Sequence, residues 1–462
     1  MAYATTNPYT GQVMKTFANA TDAEVAQALD RAQAAFAAWK DLAIAERVKV
    51  LQKAADLLRA RHTDYARKLT LEMGKLLTEA EGEVELSAQI LEYYVANAET
   101  LLAPEKLPSK HPSYTESWVE HEPQGILLAI EPWNFPYYQI VRIAAPQLAA
   151  GNVLILKHAS NVPQCAAAFE ALFREAGLPE GGFTNLYANR DQVKAIIEDP
   201  RVQGVALTGS EGAGAVVAAQ AGNALKKSTM ELGGADAFVV LADADLDKAA
   251  RWAVTGRHWN CGQVCCSSKR IIVVDAVYDA FLARYKAGVA ALKAGDPMDP
   301  ATTLAPLSSP GALEDLKQQL AQAVAHGGQV EVIGPQVPST GAFFQPVLLS
   351  MAEDNPAYGW EFFGPVSQVI RARDEADAIR IANDSPFGLG GSVFTQDIAH
   401  GIEVARKIST GMVYLNHPTG VAADLPFGGV RRSGYGRELV GLGIKEFVNH
   451  KLIAVTDIDG AF

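Results

Sequence analysis

The chain has only four cysteines in 462 residues, no excess of positive charge and no long apolar run, and each shortage removes a class of function. So few thiols give no disulfide framework, so the fold must rest on hydrophobic cores. A net charge of −12 argues against nucleic acid and anionic membranes as partners, and it leaves an anionic substrate in need of a local cation. No segment approaches the roughly 20 apolar residues of a membrane-spanning helix. The start, Met-Ala-Tyr-Ala-Thr-Thr-Asn-Pro, lacks the basic residues and apolar stretch of a secretion signal, so the cytoplasm is the expected compartment. Internal repeats, low-complexity tracts and long flexible linkers are missing as well.

What the chain does have is 49% apolar residues over a length that suits two or three domains. Thr21 with Glu24 forms a capping-box pattern, followed by Val25, Leu29, Ala32 and Phe36 on one helical face. Amphipathic helical stretches continue over 44–72 and 79–101, until Pro104, Pro108 and Pro112 break the pattern. Alternation over 113–121 suggests exposed strands. From the apolar run Ile126 to Ile130 onward, short strands and helices alternate: strands at 153–156, 184–187, 205–207, 237–241 and 271–274, with a helix over 166–176. This is the pattern of parallel sheets in an α/β protein. Residues 447–456 have strand character.

Four strings carry chemistry: Pro-Trp-Asn-Phe-Pro at 132–136, Glu-Leu-Gly-Gly at 231–234, Gly-Gln-Val-Cys at 262–265 and Glu-Phe-Phe-Gly-Pro at 361–365. They supply an amide donor, a thiol and two carboxylates, one beside an aromatic ring. An aldehyde carbon releases hydride only after a nucleophile has made it tetrahedral, so its oxidation calls for a thiolate and fixed donors for an oxyanion. A base that can activate water is then needed to hydrolyse the thioester. Cys265, Asn134 and Glu231 are the candidates for these three roles.

With Asn-Asp-Ser-Pro-Phe-Gly-Leu at 383–389 and Pro-Phe-Gly-Gly-Val-Arg-Arg-Ser-Gly at 426–434, the chain resembles the aldehyde dehydrogenase superfamily along nearly its whole length. The resemblance implies Cys265 as nucleophile, Asn134 as oxyanion donor and Glu231 as general base. It implies a Rossmann-like cofactor domain from 1–102 and 123–233, and a catalytic domain from 234–434. It further implies a small β oligomerisation arm from 103–122 and 446–462, a returning segment at 435–445, and a homodimer or homotetramer. It places NAD or NADP against Trp133, Lys157, Gly209, Ser210, Gly214, Leu232, Glu361 and Phe363. Ser160 stands where NAD-preferring relatives often carry a glutamate that repels a 2′-phosphate, so NADP should be accepted and even preferred.

Within that superfamily the Lys-His-Ala string and the length are most similar to the short bacterial NAD(P)-dependent succinate-semialdehyde dehydrogenases. By that resemblance Arg142, eight residues after Asn134, binds the distal carboxylate of succinate semialdehyde. A second arginine of some such enzymes is replaced by Trp259, so Tyr138, His417 and Thr419 are further candidates for the substrate pocket. Glutarate semialdehyde or another short or medium-chain aldehyde is the alternative substrate. A thiol acyltransferase or hydrolase is the alternative chemistry. Cys261, Cys265, Cys266 and His258 raise the question of zinc, but no second ligand pair at structural spacing occurs elsewhere. Met73-Gly74-Lys75 lacks the other residues of a phosphate-binding loop. Cys165, in an alanine-rich helix, reads as core.

Overall fold

The computed structural model describes residues 3–111 and 113–460; Pro112 and the last two residues of the 446–462 segment lie outside the described residues. Two open sheets, each covered by helices, make an α/β architecture. The six-stranded sheet runs in the order Gly434–Tyr435, Lys227–Glu231, Val202–Thr208, Ile126–Glu131, Val153–His158, Phe183–Asn185. All its pairs are parallel except the first. Its central strands are near-continuous apolar runs buried on both faces, the composition expected of parallel strands under two helical layers.

The seven-stranded sheet runs Gln329–Val332, Val347–Ser350, Val366–Ala372, Arg270–Val274, Ala237–Val240, Gly391–Phe394, Tyr414–Leu415. Alternation decides its packing. Phe238, Val240, Ile271 and Val273 join a core on one face, while Ala237, Val239, Ile272 and Val274 join a core on the other. Each such fully buried aliphatic side chain contributes roughly 1.5–3 kcal/mol.

The N-terminal helices lie over the first sheet. Thr21 and Glu24 make the expected capping box for Asp22–Trp39. The stretch expected as one helix over 44–72 is two, Ile44–Ala60 and His62–Met73, because Arg61 leaves helical geometry at φ −119°, ψ 28°. Leu77–Leu101 follows. Lys75, set aside as a phosphate ligand, is fully buried, closes on Glu83 and stands 3.6 Å from the centre of the Phe135 ring. Glu83 Oε1 in turn accepts from the N–H groups of Tyr137 and Tyr138, at 2.8 and 3.1 Å. It thereby caps Pro136–Ala150, a helix buried along its whole length. This cap fixes the turn that carries Trp133 and Asn134.

Strands Glu105–Lys106, Tyr114–Pro123 and Val448–Thr456 form a separate antiparallel arm, in register from Val448 opposite Pro123 to Val455 opposite Glu116, after which the register shifts to set Thr456 opposite Tyr114. Leu107, Tyr114, Leu452 and Val455 are exposed on it. No helix among the described residues is long and apolar enough to cross a membrane.

Candidate active site

A cavity of about 550 Å³ opens at the carboxyl ends of the first sheet, the edge where open α/β sheets bind ligands. Its wall brings together Trp133, Asn134, Gly209, Ser210, Leu232, Cys265, Glu361 and Phe363, which come from five separate stretches of sequence. Trp133 meets Phe363 edge to face, with ring centres 5.6 Å apart.

Cys265 follows a left-handed turn in which Asn260, Cys261 and Gly262 have φ of 51°, 55° and 75°. Non-glycine residues rarely take this conformation, and here it is held by specific bonds. The Asn260 N–H donates to Glu79 Oε1 at 3.0 Å, and its side chain donates to Asn134 O at 2.9 Å. Asn134 Nδ2 donates to Gln263 O at 3.0 Å, leaving its second N–H for a ligand. Its carboxamide also lies 2.8 Å from that of Gln139. Gly234 is required here by space, since a Cβ would fall 2.6 Å from Cys265 O.

The four thiols differ. A hydrogen bond from Cys266 lowers the Cys265 thiol against the opposing effect of burial, with Lys269 and Arg142 adding to the lowering. The same bond, with burial, raises Cys266. Burial raises Cys165 and Cys261. A thiolate is therefore most accessible at Cys265, the one half-buried thiol of the four. His258 Nδ1 faces Val254 O at 3.0 Å, and no group of three or more His, Cys, Asp or Glu among the described residues is arranged to hold a metal.

Glu231 is 2% exposed, and neither carboxylate oxygen has a hydrogen-bond partner among the described residues. Burial pushes its carboxyl up to about 7, against the pull of Arg142 and Arg437. It ends a row across the sheet edge. Glu231 is in register with Thr208, and Glu131 with His158, while Ile130 opposite Leu207 sets Glu131 beside Thr208. Glu131, which sequence reasoning missed, is also buried and raised to about 8, by burial first and then by Glu231.

Lys269 and Arg257 were missed too. Lys269 Nζ pairs with Glu361 Oε1 at 2.9 Å and donates to Val264 O and Cys265 O at 2.6 and 2.7 Å. Arg257 donates to Val366 O at 3.0 Å, Phe362 O at 2.9 Å and Ser267 Oγ at 2.8 Å, tying the thiol loop to the 361–365 loop. In sequence both read as ordinary solvated cations. The only available signal was their position within eight residues of the thiol.

The cavity's donors and shape suit a dinucleotide. Ser210 caps Glu211–Asn223, a 13-residue helix whose N-terminus faces the end of Val202–Thr208 and offers N–H groups to a phosphate. Gly214 lies on that helix against Leu232, where a Cβ would fall 2.5 Å from Leu232 Cδ2, so a larger residue would force the Leu232 side chain to move. Lys157 and Ser160 stand at the end of Val153–His158, two strands along the sheet from Val202–Thr208 and away from the wall lined by Cys265. Burial, and then Arg190, lowers the Lys157 ammonium.

The four residues expected in the substrate pocket lie off that wall. Arg142 does not present an open fork: it is 2% exposed, closes on Glu438 and donates to Thr208 Oγ1 at 2.8 Å. The rings of Tyr138 and Phe427 each lie 4.9 Å from its guanidinium carbon. The buried carboxylates Glu231 and Glu131 also face its guanidinium. Tyr138 is buried, with its hydroxyl toward Arg142. His417 is exposed and packs on Trp252 at 4.4 Å. Thr419 is buried and donates to Asp236 Oδ2 at 2.7 Å. None of the four is on the wall of the large cavity.

A family model described as "Aldehyde dehydrogenase family" matches residues 1–453. The chain is 48% identical over 452 residues to a succinate-semialdehyde dehydrogenase (NADP(+)) of Deinococcus radiodurans, covering 98% of this chain and 94% of the relative. It is 43% identical over 454 residues to succinate-semialdehyde dehydrogenase (NADP(+)) 1 of Mycobacterium tuberculosis, covering 98% and 99%. The crystal structure of succinic semialdehyde dehydrogenase from Streptococcus pyogenes in complex with NADP+ superposes with a TM-score of 0.96 at 44% identity, covering 99% of this chain and 100% of that one.

Proposed function

The chain belongs to the aldehyde dehydrogenase family, and on that footing we propose that it oxidises succinate semialdehyde to succinate with NADP, through a covalent intermediate on Cys265. The observation that carries the mechanism is the meeting of a lowered, half-buried thiol and an amide donor on one cavity wall, with the buried Glu231 carboxylate next in sequence to the wall residue Leu232. The relatives at 43–48% identity support the substrate and cofactor.

In this reading the Cys265 thiolate adds to the aldehyde carbon. The free N–H of Asn134 and the backbone N–H of Cys265 take the resulting oxyanion. NADP, when bound, supplies the acceptor for the hydride that leaves this carbon. Glu231 takes a proton from water, which attacks the thioester and releases the acid. Trp133, Leu232, Glu361 and Phe363 would hold the nicotinamide end of the cofactor, and Gly209, Ser210 and Gly214 the pyrophosphate. Lys157 and Ser160 would meet the adenosine ribose and its 2′-phosphate. The six-stranded sheet with the N-terminal helices is then the cofactor unit and the seven-stranded sheet the catalytic unit. The exposed apolar residues of the β arm support its use in a homodimer or homotetramer, which light scattering on the purified protein would measure. A reducing cytoplasm would keep Cys265 a thiol.

A panel of aldehydes run with both cofactors and followed at the reduced-nicotinamide absorbance band tests the reading. Succinate semialdehyde with NADP should give the highest kcat/KM; a better result with glutarate semialdehyde or an uncharged aldehyde replaces the substrate. Cys265→Ala should abolish oxidation while cofactor binding persists. Full activity in that variant removes the mechanism.

A further inference from the structure

Lys269 is 2% exposed at the start of Arg270–Val274, and its ammonium is fixed at three points: Val264 O, Cys265 O and Glu361 Oε1. The Phe363 ring centre is 5.6 Å away. The other titratable groups that face it are Asp236, from the loop after Lys227–Glu231, and the thiols of Cys265 and Cys266. Glu361 is also held by the Gly234 N–H at 3.1 Å, and its second oxygen sits where a Cβ on Gly233 would lie, 2.3 Å away. One residue thus touches the cofactor side of the cleft and the backbone of the nucleophile.

A buried ammonium has a field that depends on its counter-charge. Toward Cys265 the two partners oppose each other, since Lys269 favours the thiolate and Glu361 disfavours it. We propose that Lys269 is a positioning residue that couples the cofactor contact to the nucleophile. It holds Glu361 ready for the cofactor ribose, and when Glu361 turns its charge to the ribose hydroxyls, the ammonium is left to stabilise the Cys265 thiolate. The inference rests on the reading of Cys265 as nucleophile and of Glu361 as ribose contact.

Alkylation of Cys265 by iodoacetamide across pH, followed by intact mass, reads the thiolate without turnover, and quenching of tryptophan fluorescence by NADP+ reads cofactor affinity. Lys269→Met should move the alkylation midpoint of the free enzyme up by about one pH unit, an approximately tenfold smaller thiolate fraction at neutral pH. It should also weaken NADP+ binding about tenfold, with Lys269→Arg recovering most of both effects. Glu361→Gln should move the midpoint the other way. Lys269→Met that melts like wild type with midpoint and affinity both unchanged overturns the proposal. Should that variant not fold, an unchanged midpoint in Glu361→Gln overturns it instead. Equal labelling of a Cys265→Ala protein would instead strike at the nucleophile reading.

Discussion

The carboxylate of Glu361, on the cleft wall, is anchored by Lys269 and the Gly234 N–H, whereas neither oxygen of Glu231, buried at the end of Lys227–Glu231, meets a donor among the described residues. Anchoring fixes a carboxylate in place, which suits holding a ligand by its hydroxyl groups. Isolation in a buried pocket penalises the charge and brings the carboxyl up to about 7, where it can take and release protons at neutral pH. The environment of each carboxylate suits the role proposed for it.

The sharpest way to break this comparison is to remove the proton site on the isolated side. Glu231→Gln should cut steady-state turnover by about 10²–10⁴, the range for loss of a general base, while a pre-steady-state burst of reduced cofactor remains. Turnover at the wild-type level, or loss of the burst with it, contradicts the assignment to deacylation. In the wild type the deacylation rate should rise with pH, with a first stage centred near 7, because only the carboxylate form accepts a proton.

Arg142 is the counter-charge of that side. Removing one partner of a buried ion pair costs roughly 3–5 kcal/mol, because the other charge is left without compensation. Arg142→Ala should therefore lower stability by about that amount in denaturant unfolding, through Glu438. With the guanidinium closed on Glu438, the KM values for succinate semialdehyde and butanal should change alike. A rise confined to the semialdehyde would return Arg142 to the substrate pocket.

On the anchored side, Ser160→Glu would add a negative charge where the 2′-phosphate is proposed to sit. NADP affinity relative to NAD should fall about tenfold or more, since juxtaposed like charges cost several kcal/mol when desolvated. Titration of both cofactors by fluorescence measures the ratio, and an unchanged ratio would move the phosphate site elsewhere.

The strings around Asn134, Glu231, Cys265 and Glu361 were legible in sequence because each combines a reactive group with a glycine or proline that a tight approach requires; Gly234 against Cys265 O is an instance. The strand and helix alternation was legible for the same kind of reason, since apolar runs of 4–8 residues have few other uses. What escaped was partnership over long sequence distance. Lys269 becomes a buried cation only because Glu361 folds over it, and Arg142 is closed off only because Glu438 returns from the far end of the chain. The break at Arg61 escaped because the apolar period continues through it while the backbone does not.

The smallest expected effect lies in Glu131, which shares the row with Glu231 across Thr208. As pH rises Glu231 ionises first, so Glu131 holds its proton to about 8, and its later ionisation sets a second negative charge near the base. A base near a like charge gains proton affinity, so the deacylation rate should climb in two stages, near 7 and near 8. Glu131→Gln should leave one stage near 7, with rates above pH 8 short of wild type by a few-fold at most. Stability gives an independent reading. The folded chain holds this proton more tightly than the unfolded one, whose carboxyl titrates near 4.5, so Glu131 contributes stability at low pH that is lost as pH rises toward 8. Glu131→Gln should flatten the fall in melting temperature over that window, and a variant that keeps the wild-type slope and both kinetic stages would show that the two carboxyls titrate independently.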